Sequence, residues 1–382
     1  MRSNYKRLGD YIDEIKVRNS DLKAKELLGI NIDKFFMPSV ANIVGTDMSV
    51  YKIVKKNQFA CNRMHVGRDF RLPISMSKSD DQFMVSPAYD VFEIKDTEIL
   101  FPEYLMMWFS RREFDRNAWF YTDADVRGGL HWKALCDMQL PIPSITKQWE
   151  IVKEYNVIIN RIKLNQQLIQ KLEETAQAIY KQWFVDFEFP DQDGLPYKSN
   201  GGEMVESELG EIPTGWKAGF LGDLIELQRG FDLATQHRIE GLYPIYASTG
   251  IAEYHREYKV KGPGIVTGRS GSLGEVFYIE EDFWPLNTTL WIKNFKNATP
   301  IFAFYVLKGI NIIDYNSGSA VPTLNRNHIH LHQLIVPKID VIKRFEEIEK
   351  IFFHQIKVIT KQQKALQSFG DILLSKLATI KN

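Results

Sequence analysis

The stretch IVKEYNVIINRIKLNQQLIQKLEETAQAIYKQW, residues 151–183, has a regular apolar pattern. Its apolar residues recur in alternating steps of four and three, with Asn165 as the polar interruption. This is the spacing of a coiled-coil helix, and it lasts longer than globular helices, which average about 11–12 residues. It predicts a long helix whose apolar stripe includes Ile158, Ile162, Asn165, Ile169, Leu172 and Ile179.

A second segment, from Val341 to Ile380, follows the same step rule, with polar interruptions at Gln355, Gln362 and Lys376. Two such helices can cover each other's stripes, most simply as an antiparallel pair, so we predict an antiparallel coiled coil. The alternative for either helix alone is burial in a bundle. The stripe predicted for the second helix contains Phe345, Ile348, Phe352, Ile359, Leu366, Phe369 and Leu373.

The sequence before each long helix contains the same motifs in the same order, followed by the same change to helical periodicity. Chance similarity among common tripeptides is the alternative explanation. Short β-rich runs separated by Gly, Pro and Asn precede both helices, so we predict two mixed, mainly β domains and an α+β chain. The motif pairs are Leu8-Gly9-Asp10 with Leu221-Gly222-Asp223, Phe101–Leu105 with Thr299–Tyr305, and Leu140–Ile145 with Leu334–Ile339.

Composition restricts the class of protein. Hydrophobic residues make up 44% of the 382 residues and charged residues 25%, which is typical of a globular chain. No run approaches the roughly 18 apolar residues of a membrane span, and no secretion signal is visible. Two cysteines without a CxxC pair argue against a disulfide framework or cysteine zinc site, so we expect a reducing cytoplasm.

Catalytic motifs are missing from the sequence. It has no GxxxxGK[ST] phosphate loop, no GxGxxG opening a βαβ unit and no HExxH or GxSxG. We therefore predict no catalytic residues. His328, His330 and His332 alternate, which on a strand would place three imidazoles on one face. A metal site is the alternative there, but no nearby ligands complete a set, so we predict no metal.

Two basic windows carry the prediction of a binding function. Lys52 to Arg71 contains six cations and one acid, Asp69, with aromatic residues between them. In the second repeat, Arg256, Lys259, Lys261 and Arg269 surround a glycine-rich turn. Such residues bind phosphates and base edges, although a solvated surface is the alternative. The predicted DNA contacts are Lys55, Lys56, Arg63, His65, Arg68, Arg71, Arg127, Lys261, Thr267, Arg269, Ser270, Ser272, Asn325 and Arg326.

Net charge is zero, with 48 cations and 48 anions, which differs from many DNA-binding proteins because phosphate contacts supply much of their affinity. A neutral chain must concentrate its cations locally or share the duplex with basic partners. Two rival functions remain open. One is a self-contained DNA methyltransferase or nuclease, for which the Asn/Asp-Pro-Pro-aromatic signature is missing. The other is a coiled-coil adaptor that does not bind DNA.

Four strings resemble a known family, the specificity subunits of type I restriction–modification systems. Ser207–Trp216, with Leu221-Gly222-Asp223 after it, resembles the entry to their second target-recognition domain. Ala178–Phe187 resembles the end of their central helix, and Thr267–Gly274 and Val321–Asn325 resemble loops of their recognition domains. The first domain departs from the family pattern at Asp125–Leu130, so the base contacts predicted in that domain have less support from the resemblance.

The resemblance implies a non-catalytic subunit that recognises a bipartite DNA target, one half-site per domain, while the helices set the gap. The partners it implies are double-stranded DNA, two methyltransferase subunits that bind S-adenosylmethionine, and restriction subunits that use ATP and Mg. This chain itself would hold no cofactor. The expected organisation is a pseudo-two-fold repeat: recognition domain 1 at residues 1–145, the central helix at 146–189, a linker at 190–219, recognition domain 2 at 220–338 and the distal helix at 339–382.

Overall fold

A computed structural model describes residues 5–41, 45–64, 66–122, 128–318 and 320–380. The chain divides into two compact units, which we call unit 1 (residues 1–166 with 361–382) and unit 2 (residues 167–360). Each of the two long helices therefore contributes one part to unit 1 and the other part to unit 2.

Unit 1 combines short strands with short helices. Its helices are α1 (Val66–Asp69), α2 (Pro102–Phe109), α3 (Arg112–Phe120), α4 (Trp132–Asp137) and the first half of α5 (Ile145–Phe184). Strands β2, β9, β6 and β7 form an antiparallel sheet in that order, and β1–β10, β3–β4 and β5–β8 pair separately. The strands are β1 (Tyr5–Arg7), β2 (Ile12–Ile15), β3 (Leu28–Ile30), β4 (Phe36–Pro38), β5 (Lys52–Val54), β6 (Phe59–Cys61), β7 (Ile74–Met76), β8 (Phe83–Val85), β9 (Asp90–Ile94) and β10 (Gln139–Pro141).

The core of unit 1 lies between the four-stranded sheet and α2. Phe59 on β6 and Phe92 on β9 face each other across the ladder and stack with ring centroids 5.1 Å apart. Pro102 occupies the first turn of α2, where its missing N–H has no partner to lose. Leu374 and Leu377, near the end of the second long helix, are buried in the same cluster. The core of unit 1 is therefore completed by residues from the far end of the sequence.

Unit 2 has the same kinds of element. Its helices are the second half of α5, α6 (Leu221–Leu224), α7 (Pro300–Gly309), α8 (Arg326–Ile329) and most of α9 (Ile339–Lys376), whose last residues belong to unit 1. Strands β14, β20, β17 and β18 form one sheet and β16, β15 and β19 another, with β11–β12 and β13–β21 as separate pairs. The strands are β11 (Met204–Ser207), β12 (Gly210–Pro213), β13 (Lys217–Phe220), β14 (Ile225–Arg229), β15 (Tyr243–Ala247), β16 (Gly250–His255), β17 (Gly264–Gly268), β18 (Val276–Ile279), β19 (Trp284–Pro285), β20 (Thr289–Phe295) and β21 (Gln333–Val336).

Corresponding motifs have corresponding places in the two units. The main sheets share one connectivity: the first strand pairs with the last, the last with a middle strand, and that with the next. Pro102 and Pro300 each begin a helix, and the Leu-Gly-Asp motifs each follow a strand that pairs with the strand before the long helix. The prediction of a mixed α+β chain with two long helices is confirmed.

The segment 190–219 differs from the exposed linker that its composition predicts. It contains the β11–β12 hairpin, and Ile212 and Trp216 are buried. The Trp216 indole stacks on Phe189 with centroids 5.1 Å apart and packs edge-on against Phe187 at 5.6 Å. The many acidic and glycine residues made the segment look exposed. A few aromatic side chains are nevertheless enough to attach a polar segment to a core.

The buried stripe of α9 differs from the predicted stripe at two positions. Ile348 and Phe369 are 36% and 51% exposed, whereas Glu349 and Gly370, one residue further along, are buried. At Gly370, the position of a Cβ atom lies 3.8 Å from the Tyr155 ring and 3.9 Å from Ile158. A glycine and a glutamate do not look like core residues in a hydrophobic pattern, so the sequence favoured their apolar neighbours.

The buried Glu349 is accommodated by α7. The Tyr305 hydroxyl donates to the Glu349 carboxylate over 2.9 Å, and the Ile301 amide donates to the Glu346 carboxylate over 3.0 Å. Burial raises the pKa of Glu349 to about 7, so this carboxyl group holds its proton well above the usual range. One hydrogen bond from α7 thus reaches each of two buried acids on α9, while Oε1 of Glu349 has no hydrogen-bond partner within the part of the chain that the structure describes.

The stripe of α9 yields a prediction with a matched control. We expect Phe345→Ala to lower the free energy of unfolding by about 3–5 kcal/mol, because a large core side chain is lost. Phe345 is fully buried against Tyr180, Trp183 and Phe184. The control Phe369→Ala, on the same helix but exposed, should change it by less than about 0.5 kcal/mol. Urea unfolding followed by circular dichroism measures both; equal losses would contradict the observed stripe.

Candidate nucleic-acid interface

A polar cleft of about 820 Å³ opens in unit 2 where β14 and β17 end beside the loop that precedes α8. Three arginines line it, together with one acidic residue and several neutral hydrogen-bonding groups. The cleft therefore has a local excess of positive charge although the whole chain is neutral. The charged and polar residues that matter below are Arg229, Asp232, Arg269, Ser317, Asn325 and Arg326.

Arg269 is fixed by its backbone and by its side chain. Its amide donates to Thr288 over 2.8 Å, and its carbonyl accepts from the Leu324 amide over 2.8 Å. The guanidinium donates to the Asn287 carbonyl over 2.9 Å. A guanidinium presents five donors, so one such bond orients the group and leaves capacity for a ligand. Arg269 is the most firmly oriented cation of the cleft.

The other cleft residues are held by local contacts. Arg229 forms an exposed ion pair with Asp232 at 3.1 Å. Arg326 stands in the first turn of α8, with its guanidinium 3.5 Å from the Leu227 carbonyl. Asn325 caps α8 by accepting a hydrogen bond from the Asn327 amide over 2.9 Å. Two further guanidiniums thus share the cleft with Arg269, and this composition fits an anionic, hydrogen-bonding ligand such as a nucleic-acid backbone or base edge.

The glycines of the adjacent loop have steric reasons to be there. A Cβ atom on Gly268 would lie 2.0 Å from the Ser272 carbonyl oxygen, which no side chain permits. Gly271 and Gly274 have φ values of +88° and +99°, a backbone region that favours glycine. The glycine-rich string is therefore explained by the tight turn after β17, and this turn presents Arg269 and Ser270 at its beginning.

The residues predicted in the second basic window fall into three groups. Arg269, Asn325 and Arg326 come together in the cleft, and Ser270 borders it through a β-bridge to Thr323. Lys261 and Ser272 are exposed but do not line the cleft. Thr267 is fully buried and its hydroxyl donates to the Glu275 carbonyl over 2.8 Å. That burial corrects the prediction that Thr267 contacts DNA, since no surface is left for a base.

In unit 1 the predicted window is not a surface of unpaired cations. Arg63 is half-buried, ion-paired with Asp90, hydrogen-bonded to the Leu130 carbonyl and 5.9 Å above the Trp132 ring. Three exposed cations also have acidic partners, and Lys55 is exposed. The sequence counted only neighbouring acids and therefore missed partners distant in the chain; His65 and Arg127 lie outside the described residues. The exposed pairs are Lys56–Asp80, Arg68–Asp69 and Arg71–Asp33.

Arg63 nevertheless occupies the position in unit 1 that Arg269 occupies in unit 2. Each follows the strand that pairs with the last strand of its main sheet. The Leu130 amide donates to the Arg63 carbonyl over 2.9 Å, as the Leu324 amide does to Arg269. A short helix begins two residues after each leucine. In both units a leucine and then a polar residue stand directly before the short helix. This shared motif is the sequence signal that could have shown that Arg63 and Arg269 correspond.

The alternating histidines lie on α8 and the turn after it rather than on a strand, which corrects that expectation. His330 Nε2 accepts from the Leu227 amide over 2.9 Å, and His332 Nδ1 lies 2.6 Å from the Tyr315 hydroxyl. Burial lowers the pKa of both imidazoles. Among the residues that the structure describes, no group of three or more His, Cys, Asp or Glu side chains is suited to hold a metal ion. None of the described helices is both long enough and apolar enough to cross a membrane.

Comparison with known proteins places this cleft in a defined kind of domain. Residues 213–371, which include every residue of the cleft, match the family described as the type I restriction modification DNA specificity domain. Residues 213–371 are therefore similar to a type I DNA specificity domain. The resemblance inferred from the sequence motifs is thereby confirmed.

Curated proteins similar to this chain include two type I restriction enzyme specificity subunits. The MjaIX subunit of Methanocaldococcus jannaschii is 26% identical over 284 residues, covering 66% of this chain and 64% of that protein. The HindI subunit of Haemophilus influenzae is 26% identical over 181 residues, covering 46% and 38%. The alignments therefore span less than two thirds of either relative.

Solved structures share the fold of this chain over nearly its whole length. The type I S subunit from M. genitalium superimposes with a TM-score of 0.62 at 14% identity, covering 99% of this chain and 96% of that one. A chain from a study of type I R-M complex assembly and conformational transition gives 0.50 at 12% identity, covering 98% and 96%. At such identities the similarity establishes the fold alone.

The contrast between Arg63 and Arg68 leads to a prediction. We expect Arg63→Ala to lower the free energy of unfolding on the order of 2 kcal/mol, because it leaves the mostly buried Asp90 carboxylate without its cation. Arg68→Ala, which removes an exposed pair, should have no measurable effect on stability. Thermal and urea unfolding of both variants provide the measurement. Wild-type stability in Arg63→Ala would show that the Asp90 pair is unimportant for the fold.

Proposed function

We propose that this chain is the sequence-specific DNA-binding subunit of a type I restriction–modification complex. The observation that carries the proposal is the arginine-lined cleft inside the matched specificity domain, with Arg269 oriented at its edge. Each recognition domain binds one half of a bipartite target, and the chain also scaffolds the methyltransferase and restriction subunits. It has no catalytic activity or cofactor of its own: S-adenosylmethionine belongs to the methyltransferase partner, and ATP and Mg to the restriction partner.

The proposed organisation is an internal repeat with pseudo-two-fold symmetry. Recognition domains occupy residues 1–145 and 220–338, and the long helices occupy residues 146–189 and 339–382. Residues 190–219 connect the first long helix to the second domain as a packed segment with its own hairpin. The shared strand order of the two main sheets and the matching positions of Arg63 and Arg269 support the repeat.

An antiparallel coiled coil is the second part of that organisation. Within unit 1, Asn165 donates to Gln362 over 3.1 Å, while Tyr155, ten residues earlier, lies near Gly370, eight residues later. The two helices therefore run in opposite directions. Of the α5 stripe, Ile158 and Asn165 are buried, and Ile162, Ile169, Leu172 and Ile179 are half-buried. On α9, Phe345 and Ile359 are buried, and Phe352, Leu366 and Leu373 are half-buried.

The zero net charge fits a subunit that shares its DNA. Phosphate contacts supply much of the affinity of most DNA-binding proteins, and here partner subunits would provide part of them. The cations of unit 1 support this division of labour, because Lys56, Arg63, Arg68 and Arg71 are already paired with acids. A cytoplasmic location is part of the proposal, since the two cysteines without a CxxC pair fit a reducing compartment.

The proposal is tested by exchanging one recognition domain. The chain is co-expressed with the methyltransferase subunit from the same source, and methylated sites are mapped by sequencing the host genome. We expect a bipartite target, and replacing residues 1–144 by the matching segment of a relative should change one half only, since base contacts are local. Change in both halves would refute separate recognition. Methylation or cleavage by the purified chain alone would refute a non-catalytic subunit.

Arg269 provides the sharper prediction within one half-site. We expect Arg269→Ala to weaken binding and to relax preference at one base position by about 1–3 kcal/mol, as loss of a base contact does. Arg256→Ala is the control, since Arg256 is exposed, pairs with Glu257 and does not line the cleft. Affinities for duplexes substituted at each target position provide the measurement. A uniform loss over all sequences would identify Arg269 as a phosphate contact.

A further inference from the structure

Four aromatic side chains form an exposed cluster at one end of α3 in unit 1. We call Phe70, Trp119, Phe120 and Tyr121 the aromatic cluster; they are 58%, 45%, 77% and 53% exposed. Phe70 and Trp119 meet edge-to-face with centroids 5.3 Å apart, and Phe120 and Tyr121 do the same at 5.3 Å. Single exposed apolar residues are ordinary, but adjoining exposed rings usually mark a binding surface.

One residue of the cluster has a strained backbone conformation. Phe70 has φ of +57°, a left-handed conformation that a bulky residue rarely adopts. The first turns of α3 bury Phe114 and Ala118 in the core, so the helix is anchored and its end projects the rings. Strained residues of this kind concentrate at functional sites, where surrounding structure maintains them.

Hydrogen bonds connect the cluster to Arg63, the counterpart of Arg269. The Thr122 amide and hydroxyl both donate to the Trp119 carbonyl, over 3.1 and 2.7 Å. Thr122 forms a β-bridge with Leu130, whose amide donates to the Arg63 carbonyl over 2.9 Å. In unit 2 the equivalent bridge joins Asn316 to Leu324, and Ser317 beside it lines the cleft. The cluster therefore adjoins the region of unit 1 that corresponds to the cleft.

The charges around the rings are appropriate for a polyanion. Arg116 stands one turn before Phe120 on α3 and is exposed. Arg68 and Arg71 also flank Phe70 in sequence, but Asp69 and Asp33 neutralise them, so the phosphate contact is assigned to Arg116. Rings interleaved with arginines match nucleic acid, whose bases stack on aromatic faces while cations bind its phosphates. An apolar protein partner would not require an exposed arginine beside the rings.

We propose that the aromatic cluster contacts DNA directly, with the Phe120 ring packing against a base step of the half-site that unit 1 recognises and Arg116 on a neighbouring phosphate. Apolar side chains that insert at base steps unstack them and bend the duplex. This inference rests on the proposed function and extends it to a named contact. It also gives unit 1 a means of binding bases that does not depend on Arg63, which is engaged with Asp90.

The experiment uses the full chain co-purified with its methyltransferase subunit and a duplex carrying the methylated target. 2-Aminopurine, whose fluorescence rises when it is unstacked, replaces one base at a time through the half-site assigned to unit 1. Wild-type complex should raise the signal at one step. Phe120→Ala and Trp119→Ala should remove that rise and weaken binding roughly tenfold, the loss typical of one stacked base.

Two control variants separate stacking from other effects. Trp149→Ala removes a ring that is 60% exposed in unit 1 but lies on α5, against Phe101, and should leave affinity and fluorescence unchanged. Arg116→Ala should reduce the salt dependence of binding by about one counterion while keeping the fluorescence rise. The Phe120 variant should keep the wild-type salt dependence. Unchanged thermal unfolding shows that each variant is folded.

Wild-type affinity and fluorescence in both Phe120→Ala and Trp119→Ala would overturn the inference and leave the proposed function intact. The variants could instead assemble poorly with the methyltransferase, while the complex that still forms binds DNA normally. That result would also overturn the inference and would identify a protein-docking surface. If the wild-type complex shows no salt-dependent binding to its duplex, the proposed function itself fails.

Discussion

The structure depends on the burial of one apolar stripe along each long helix. Isolated helices have little stability in water, and a helix of 38 or 40 residues with a single apolar side needs other surfaces to cover it. Both units supply such surfaces. In unit 2, Phe345 packs among aromatic rings of α5 and α7, and in unit 1 Leu374 and Leu377 enter the core beneath the main sheet. The helices are therefore part of each core as well as a connection between segments.

Polar groups within these stripes restrict how the helices can pack. Asn165 and Gln362 satisfy each other in unit 1, and Glu349 pairs with the Tyr305 hydroxyl in unit 2. A shift of one turn would leave each buried group without its partner, which is costly in a medium of low dielectric constant. Buried polar residues in coiled coils commonly specify register in this way. Burial also explains why Glu349, with its pKa near 7, is accommodated as a protonated acid near neutral pH.

Periodicity was enough to predict the long helices, because a pattern repeated over many turns is difficult to mimic by chance. The failures occurred where a residue's role depends on a partner far away in sequence. Glu349 is buried where the Tyr305 hydroxyl binds one of its carboxylate oxygens, and Trp216 is buried because aromatic residues at the end of α5 surround it. Arg63 is paired with Asp90, and no count of local charge could detect that pair.

The residues of the candidate cleft were predicted in part, as the fold was, and for similar reasons. Arg269, Asn325 and Arg326 were found from the glycine-rich loop and the motif before α8, and the structure brings them into one cleft. Arg229 was missed because it stands at the end of an ordinary strand with no motif around it. Thr267 was included because it belongs to the loop motif, but it lies on β17, a strand whose residues are all buried.

The division of the chain between units has a consequence for its biosynthesis. Ribosomes release polypeptide from the N-terminus, and domains generally fold as units once their residues have emerged. Every residue of unit 2, 167–360, emerges before the segment from residue 361 onward that completes unit 1. Leu374 and Leu377 fill the core of unit 1, and the Ala378 carbonyl accepts from Tyr5 over 3.0 Å. Residues 1–166 must therefore wait, with their core open, until residues 361–382 leave the ribosome.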